Sequence, residues 1–347
     1  MCQIGGMYRD GLSVNRDYHE AMKWYRNAME NESLEAIAAI GFMHYYGLGV
    51  KQSYDEAIRW YQLAADKGGA EGMNNLGHMY REGRGVKKDL VKAAEWFRRA
   101  AESGNVFGMD NLAQMYVLGA GVSRDPKKGI ELYRRAAERG YTQSMYSLSQ
   151  LYLGSMGVEQ DSKEAKRWAE KAAELNDPRG MRIVGYIHLH GIGVEGDPNE
   201  ALRWYKRAAD AGDPEALIDV ADFYATGNGV KRDTAKAIAM LENAAKAGNG
   251  PAMGKLGMIY YEGQIVERDY VLALKWNRLG VDAGDPTAML GLAIMYVTGN
   301  GVEKDVDKSL QWLRKSAAAG NAAAIEILQK RGESPSENSN DTAAKAH

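Results

Sequence analysis

The chain has 347 residues, 45% hydrophobic and 26% charged, with 44 Lys and Arg against 46 Asp and Glu. A net charge of −2 supplies no field favouring nucleic acid or an anionic membrane, and no apolar run approaches the roughly 18 residues of a membrane span. Cys2 is the only cysteine, which excludes an internal disulfide and any need for an oxidising compartment.

The first residues, MCQIGGMYRD, have neither a basic n-region nor an apolar h-region and do not read as a signal peptide. A chain complete at Met1 is expected in the cytoplasm; a leader removed upstream would leave export open. What this stretch does begin is a pattern that recurs every 36 residues, with no insertion or deletion. An aliphatic column runs Ile4, Ile40, Leu76, Leu112, Leu148, Val184, Val220, Leu256, Leu292. Four residues on stands Tyr or His (Tyr8, His44, Tyr80, Tyr116, Tyr152, His188, Tyr224, Tyr260, Tyr296), and six further on is always Val, from Val14 to Val302. A fixed period of this size means stacked supersecondary units, each covering its neighbour's apolar face. Residues 1–32 make a partial unit and 33–320 eight complete ones, beginning at Ser33, Gly69, Asn105, Tyr141, Asp177, Asp213, Asn249 and Asp285. A closing helix over 321–332 and a disordered polar tail over 333–347 are expected to follow.

Each unit predicts two helices. The first, 70–82 in the second complete unit, carries Met73, Leu76, Gly77 and Tyr80 at helical spacing. Asp-Pro at 177–178, 213–214 and 285–286 marks its start, an N-cap acceptor followed by Pro at the first helical position. Gly83 is its left-handed stop, and Val86 is expected to fold back onto the helix pair. The second helix opens at Asp89; its equivalents Asp17, Ser53 and Asp161 have Glu three residues on, the pattern of a reciprocal capping box. Ala93, Trp96, Phe97, Ala100 and Ala101 form its apolar face. A column of Gly, Ala and Ser at Gly77 and its equivalents implies close helix approach, and the recurrent Trp (24, 60, 96, 168, 204, 276, 312) is expected to fill the space opposite. The N-terminal end has no polar helix to cover it, so its apolar edge is expected to pair with another copy or to mark a removed segment.

The motif LGxxYxxGxGVxxDxxxAxxWYxxAAxxG, nearly complete in 76–104 and again in 185–212, resembles Sel1-like repeat proteins, relatives of the tetratricopeptide repeat. The resemblance covers 1–332. It departs locally at Ser13, Ser155 and Ile265 for Gly, Ser53 for Asp, and Leu132 and Met240 for Trp. It implies an all-α, right-handed α-solenoid of helix–loop–helix repeats whose first helices line a concave face. It also implies a protein-interaction adaptor rather than an enzyme. The rival reading the resemblance carries is a hydrolase or ligand-binding activity of penicillin-binding or β-lactamase-like type, which would need a nucleophile, base and oxyanion donors in one pocket.

No such set can be picked from the sequence, and neither a cofactor nor a metal site is expected. The six histidines include no HExxH, and the repeated GxGV follows a helix and lacks the Lys-Ser/Thr of a phosphate loop. His78 with Asp110 across adjacent repeats is the one metal pair worth naming, and it is outweighed by packing roles. The Met column reads as core, and Arg98-Arg99 and Arg134-Arg135 read as solvated faces.

The informative positions are those that fail to repeat. One column of the first helices runs Ala38, Asn74, Asp110, Tyr146, Arg182, Ile218, Gly254, Leu290; another runs Phe42, His78, Gln114, Gln150, Tyr186, Asp222, Met258, Ile294. Irregular side chains inside a uniform unit are the expected partner-binding surface: Asn74, His78, Asp110, Asn111, Gln114, Tyr146, Gln150, Arg182, Tyr186 and Asp222. The partner expected there is another protein or a peptide.

Overall fold

The computed structural model describes residues 1–333. The tail expected to be disordered lies, apart from Glu333, outside the described residues. Among those residues there are nineteen α-helices and no strand. They are α1 (Cys2–Asp10), α2 (Tyr18–Glu30), α3 (Leu34–Tyr46), α4 (Tyr54–Asp66), α5 (Ala70–Glu82), α6 (Leu90–Glu102), α7 (Val106–Leu118), α8 (Pro126–Ala137), α9 (Thr142–Tyr152) and α10 (Ser162–Glu174). They continue as α11 (Pro178–His190), α12 (Pro198–Asp210), α13 (Pro214–Thr226), α14 (Thr234–Lys246), α15 (Gly250–Glu262), α16 (Tyr270–Asp282), α17 (Pro286–Thr298), α18 (Val306–Ala318) and α19 (Ala322–Lys330). The fold is an all-α solenoid of 36-residue helix–loop–helix repeats, as the pattern implied. Odd-numbered helices are the first (A) and even-numbered the second (B) of each repeat. Contacts group the helices into two units, Met1–Leu175 and the part from Asn176 onward. Within each, an A helix packs on its own B helix and on the next repeat.

The turns follow from the cap residues. Helix α5 ends at Gly83, φ +74°, and α3, α7, α11, α13, α15 and α17 end on Gly in the same left-handed conformation. Three residues later the valine folds back, with Val50, Val86, Val122, Val158, Val230 and Val266 all resting on the core. The Asp or Ser that follows accepts backbone N–H bonds from the first turn of the B helix, as Asp89 does from Lys92 at 3.0 Å. The reciprocal half of the expected capping box is not made. The cap residue's own N–H instead donates backward to the Tyr or His carbonyl of the A helix, Asp89 to Tyr80 at 2.9 Å and Ser53 to His44 at 2.9 Å. Glu20, Glu56 and Glu164, left free of that duty, pair with Lys23, Arg59 and Arg167 one turn on.

The repeat containing Ser155 differs where its sequence does. With no glycine at that position, α9 stops two residues early at Tyr152, and Gly154 takes the left-handed turn at φ +94°. A short 3-10 turn over Ser155–Gly157 then leaves Met156 exposed with φ +55°.

Packing corrects the expected role of the Trp column. The ring that lies over the small A-helix residue belongs to the position after Trp. A methyl built on Gly77 would sit 2.5 Å from the Phe97 ring, and Gly5 and Gly41 face Tyr25 and Tyr61 at 2.6 Å. Those rings are sealed, Phe97 at 0% and Tyr25 at 1% exposure, whereas Trp96, Trp24 and Trp60 are only half-buried. Their open faces carry a cation from one turn on where one is available: Arg99 stands 4.3 Å over Trp96, Arg207 4.1 Å over Trp204 and Lys315 4.2 Å over Trp312. Trp168 is fully buried in the one repeat where the following residue is the small Ala169.

Phe97→Ala is therefore the costly truncation, expected to destabilise by about 3–5 kcal/mol, while Trp96→Ala removes a half-buried ring and costs less. In a nearest-neighbour stack the loss of hydrogen-exchange protection should centre on α5–α7 and spare α1 and α2. Equal loss in every helix of the unit, or a larger effect for Trp96→Ala, would contradict this packing.

Candidate binding surface

On α5 the core takes Met73, Leu76, Gly77 and Met79, while Tyr80, expected among them, is only half-buried; the remaining side chains meet the neighbouring A helices or solvent. The structure divides the ten expected partner-binding residues into groups. Asn74 is only 7% exposed, which corrects its assignment to an open surface. Its column points into the contact between consecutive A helices, where Ala38, Gly254 and Leu290 are buried too. Asp110, in the same column, accepts from Ser144 of the next repeat at 2.6 Å. Arg182 pairs with Glu215 and approaches Asp213 at 3.8 Å. These residues tie neighbouring repeats together.

Asn74, His78 and Asn111 form one network in the first unit. Asn111 donates to Asn74 Oδ1 at 3.0 Å and accepts from Arg81 at 3.0 Å; Arg81 also donates to His78 Nδ1 at 2.9 Å. Burial, with the Arg81 charge beside it, pushes the His78 imidazole down to about 4. A guanidinium on Nδ1 is the wrong company for a cation, and Asp110 is turned to Ser144, so the His78–Asp110 metal pair does not assemble. Among the described residues no group of three or more His, Cys, Asp and Glu could hold a metal.

The network borders a recess of about 310 Å³ between α3 and α5, lined by Phe42, Tyr45, Tyr46, Tyr61, Asn75, His78, Arg81 and Glu82. Phe42 and Tyr46 lie 4.5 Å apart, Tyr45 and Tyr46 4.7 Å, and Tyr46 is 54% exposed. The Tyr45 hydroxyl accepts from Arg84 and donates to Glu82 at 3.4 Å. A second recess of about 200 Å³ lies between α7 and α9, and it gathers three of the expected residues, Gln114, Tyr146 and Gln150, with Leu118, Tyr133, Ser147 and Met156. Gln150 donates to the Tyr146 hydroxyl at 2.8 Å. The buried ring position of a B helix, Tyr61 or Tyr133, lines each recess. Neither recess sets a Ser, Thr or Cys nucleophile beside a base.

In the second unit Tyr186 is 44% exposed with its ring 4.3 Å from His190, and Asp222 pairs with Lys255 at 3.0 Å. Between Arg182 and Asp222 sits Asp219, whose carboxyl burial pushes up to about 6 against the pull of Arg182. Tyr45, Tyr46, Arg81 and Asp219 were not singled out from the sequence. Their signal was present, since the positions equivalent to 75, 81 and 82 vary as freely as those equivalent to 74 and 78.

The Sel1 repeat profile matches residues 1–32, 34–69, 70–105, 106–141, 142–177, 178–213, 214–249, 250–285 and 286–321. The chain belongs to the Sel1-repeat family. Among solved structures it is similar to c5321, a protective antigen present in uropathogenic Escherichia coli strains that displays an SLR fold. Identity is 32% and the TM-score 0.61, over 96% of this chain and 72% of that one. It is also similar to a Sel1 repeat protein from Oxalobacter formigenes, at 34% identity and TM-score 0.62, over 71% of this chain and 99% of that one. No curated protein matches. Sel1-repeat proteins are in general protein-interaction scaffolds and typically non-catalytic.

The His78 network makes this Sel1-repeat chain sensitive to acid. The imidazole is held neutral at about 4 in the fold against an ordinary 6.5, so the unfolded chain binds the extra proton first. Stability is intact above about pH 6.5 and falls as pH drops toward 4, by up to roughly 2–3 kcal/mol. Local hydrogen exchange in α5 and α7 should accelerate across that window in the native chain. In His78→Gln it should not; an unchanged profile in that variant would assign the loss elsewhere.

Proposed function

We propose that this chain is a non-catalytic scaffold that binds a segment of another protein along its A-helix face, the concave face of the solenoid. The observation that carries the reading is the recess of Gln114, Tyr146 and Gln150 beside the exposed Met156 and Leu118. It joins apolar contact area to amide and phenol groups that can hold a peptide backbone. The aromatic recess at Phe42, Tyr45 and Tyr46 offers the same combination one repeat pair earlier. Everything periodic in the repeat is spent on packing, and these aperiodic positions are what remains to distinguish one partner from another.

Tyr146 is the preferred anchor in the first unit and Tyr186 in the second, because each presents a ring with a polar tip. A partner recovered with the native chain and identified by mass spectrometry supplies the ligand for titration. Tyr146→Ala with Tyr186→Ala should weaken its binding by about 2 kcal/mol or more with helix content and melting temperature nearly unchanged. Arg98→Ala with Arg134→Ala, on B helices, should change affinity little. The opposite ranking would put the binding face on the other side of the repeats, and turnover of a β-lactam or ester substrate by the purified chain would replace the scaffold reading with the hydrolase one.

A further inference from the structure

The rings of the Tyr column repeatedly meet a lysine from the first turn of the following B helix. Lys92 lies 5.4 Å from the Tyr80 ring centre, Lys128 5.7 Å from Tyr116 and Lys308 5.7 Å from Tyr296. In two of these repeats the ammonium is neutralised by the aspartate capping its own helix, Lys128 by Asp125 at 3.4 Å and Lys308 by Asp305 at 3.0 Å. One repeat of the second unit breaks that rule. Lys236 of α14 donates to the Tyr224 hydroxyl at 2.9 Å and covers its ring at 4.1 Å. Lys206, from the preceding B helix α12, brings its ammonium to 5.5 Å from the same ring centre. Both lysines are exposed, and among the described residues neither forms an ion pair with a carboxylate.

A phenol oxygen has two lone pairs and one proton. With one lone pair taken by the Lys236 ammonium, the Tyr224 hydroxyl keeps its proton to donate, beside the remaining N–H groups of two cations. The place is rich in donors and carries two exposed lysines without a carboxylate ion pair, set around the edge of the largely buried Tyr224 ring. Its complement is a dianion with several terminal oxygens. A carboxylate has half the charge and two oxygens; a phosphate monoester has the charge and three. We propose that Lys206, Tyr224 and Lys236 form a binding site for the dianion of a phosphate group. The Lys236 hydrogen bond and then the nearby Lys206 ammonium hold the Tyr224 phenol below its ordinary value, which is the field that such an anion would neutralise. The equivalent positions hold Glu170, His188 and Glu200 one repeat earlier and Glu242, Tyr260 and Leu272 one repeat later, so neither neighbouring repeat gathers two cations there. It shares no residue with the A-helix recesses and stands independently of their function.

The test is calorimetric titration of the full chain, at constant ionic strength and about pH 7.5 where phosphate is mostly dianionic. The probes are inorganic phosphate, a short phosphoserine peptide, its unphosphorylated counterpart and chloride. Saturable binding is expected for the two phosphates and not for the other probes. Lys206→Met with Lys236→Met should weaken it by about tenfold or more, and Tyr224→Phe, which keeps the ring, by a smaller factor, with melting temperatures retained. Lys246→Met with Lys304→Met, exposed lysines of the same unit, should leave it unchanged. A phosphopeptide that binds much more tightly than inorganic phosphate assigns the ligand to a phosphorylated side chain; equal affinity assigns it to free phosphate. Absence of saturable binding, or an equal loss in the Lys246/Lys304 variant, overturns the site.

Discussion

Most turns of the repeat hang on one residue each, whose N–H bonds back to the helix behind it and whose side chain, except at Gly69 and Tyr141, caps the helix ahead. At the A-to-B turn Asp89 donates to the Tyr80 carbonyl and accepts from Lys92. At the B-to-A turn Asn105 donates to the Ala100 carbonyl at 3.0 Å and accepts from Gly108 at 2.8 Å. Orphan groups of two helix ends are thus satisfied by one short-chain polar residue. An insertion at either turn would separate the two duties and leave buried groups unpaired. That is the physical reason a period of 36 runs through the chain without a slip.

Fixing the turns fixes how closely the two helices of a pair approach, and side chains then divide according to that spacing. Gly77 under Phe97 and Gly41 under Tyr61 allow the A helix to lie against a flat ring. Where Asn277 stands in place of the ring, it is fully buried against Gly257 and Gly291 and its Oδ1 has no partner among the described residues. A buried orphan carbonyl is a cost of about 1–3 kcal/mol. The α15–α16 pair of the second unit therefore carries a local polar cost that the ring-bearing pairs do not.

The fold was legible because its determinants are local and repeated: glycine where φ must be positive, Asp or Asn where amides need an acceptor, alanine where helices touch. The Trp column misled because size alone does not say which face of a helix a residue occupies. Trp96 and Phe97 are adjacent, about 100° apart around the helix axis, and only the close approach of Gly77 to Phe97 decides between them. The binding surface was legible in part. Variation down a column marked Gln114, Tyr146 and Gln150, which the structure gathers into one recess. The same criterion also marked Asn74 and Asp110, because a contact between neighbouring repeats can vary as freely as a contact with solvent provided both partners vary together. One sequence, read alone, does not separate those two causes.

That distinction bears on where binding energy can come from. Asn74 with Asn111, Asp110 with Ser144, Arg182 with Glu215 and Asp222 with Lys255 are already hydrogen-bonded or paired across repeats. A partner that recruits any of them must first break a bond, so its net gain is small. Gln114 is exposed and, among the described residues, has no hydrogen-bond partner, and the Tyr46 and Tyr186 rings are half open to solvent. Contacts to these groups replace water alone. Affinity should therefore concentrate at the recess that Gln114 shares with Tyr146 and at the open rings, while the ties between repeats hold the A helices in the register that presents them.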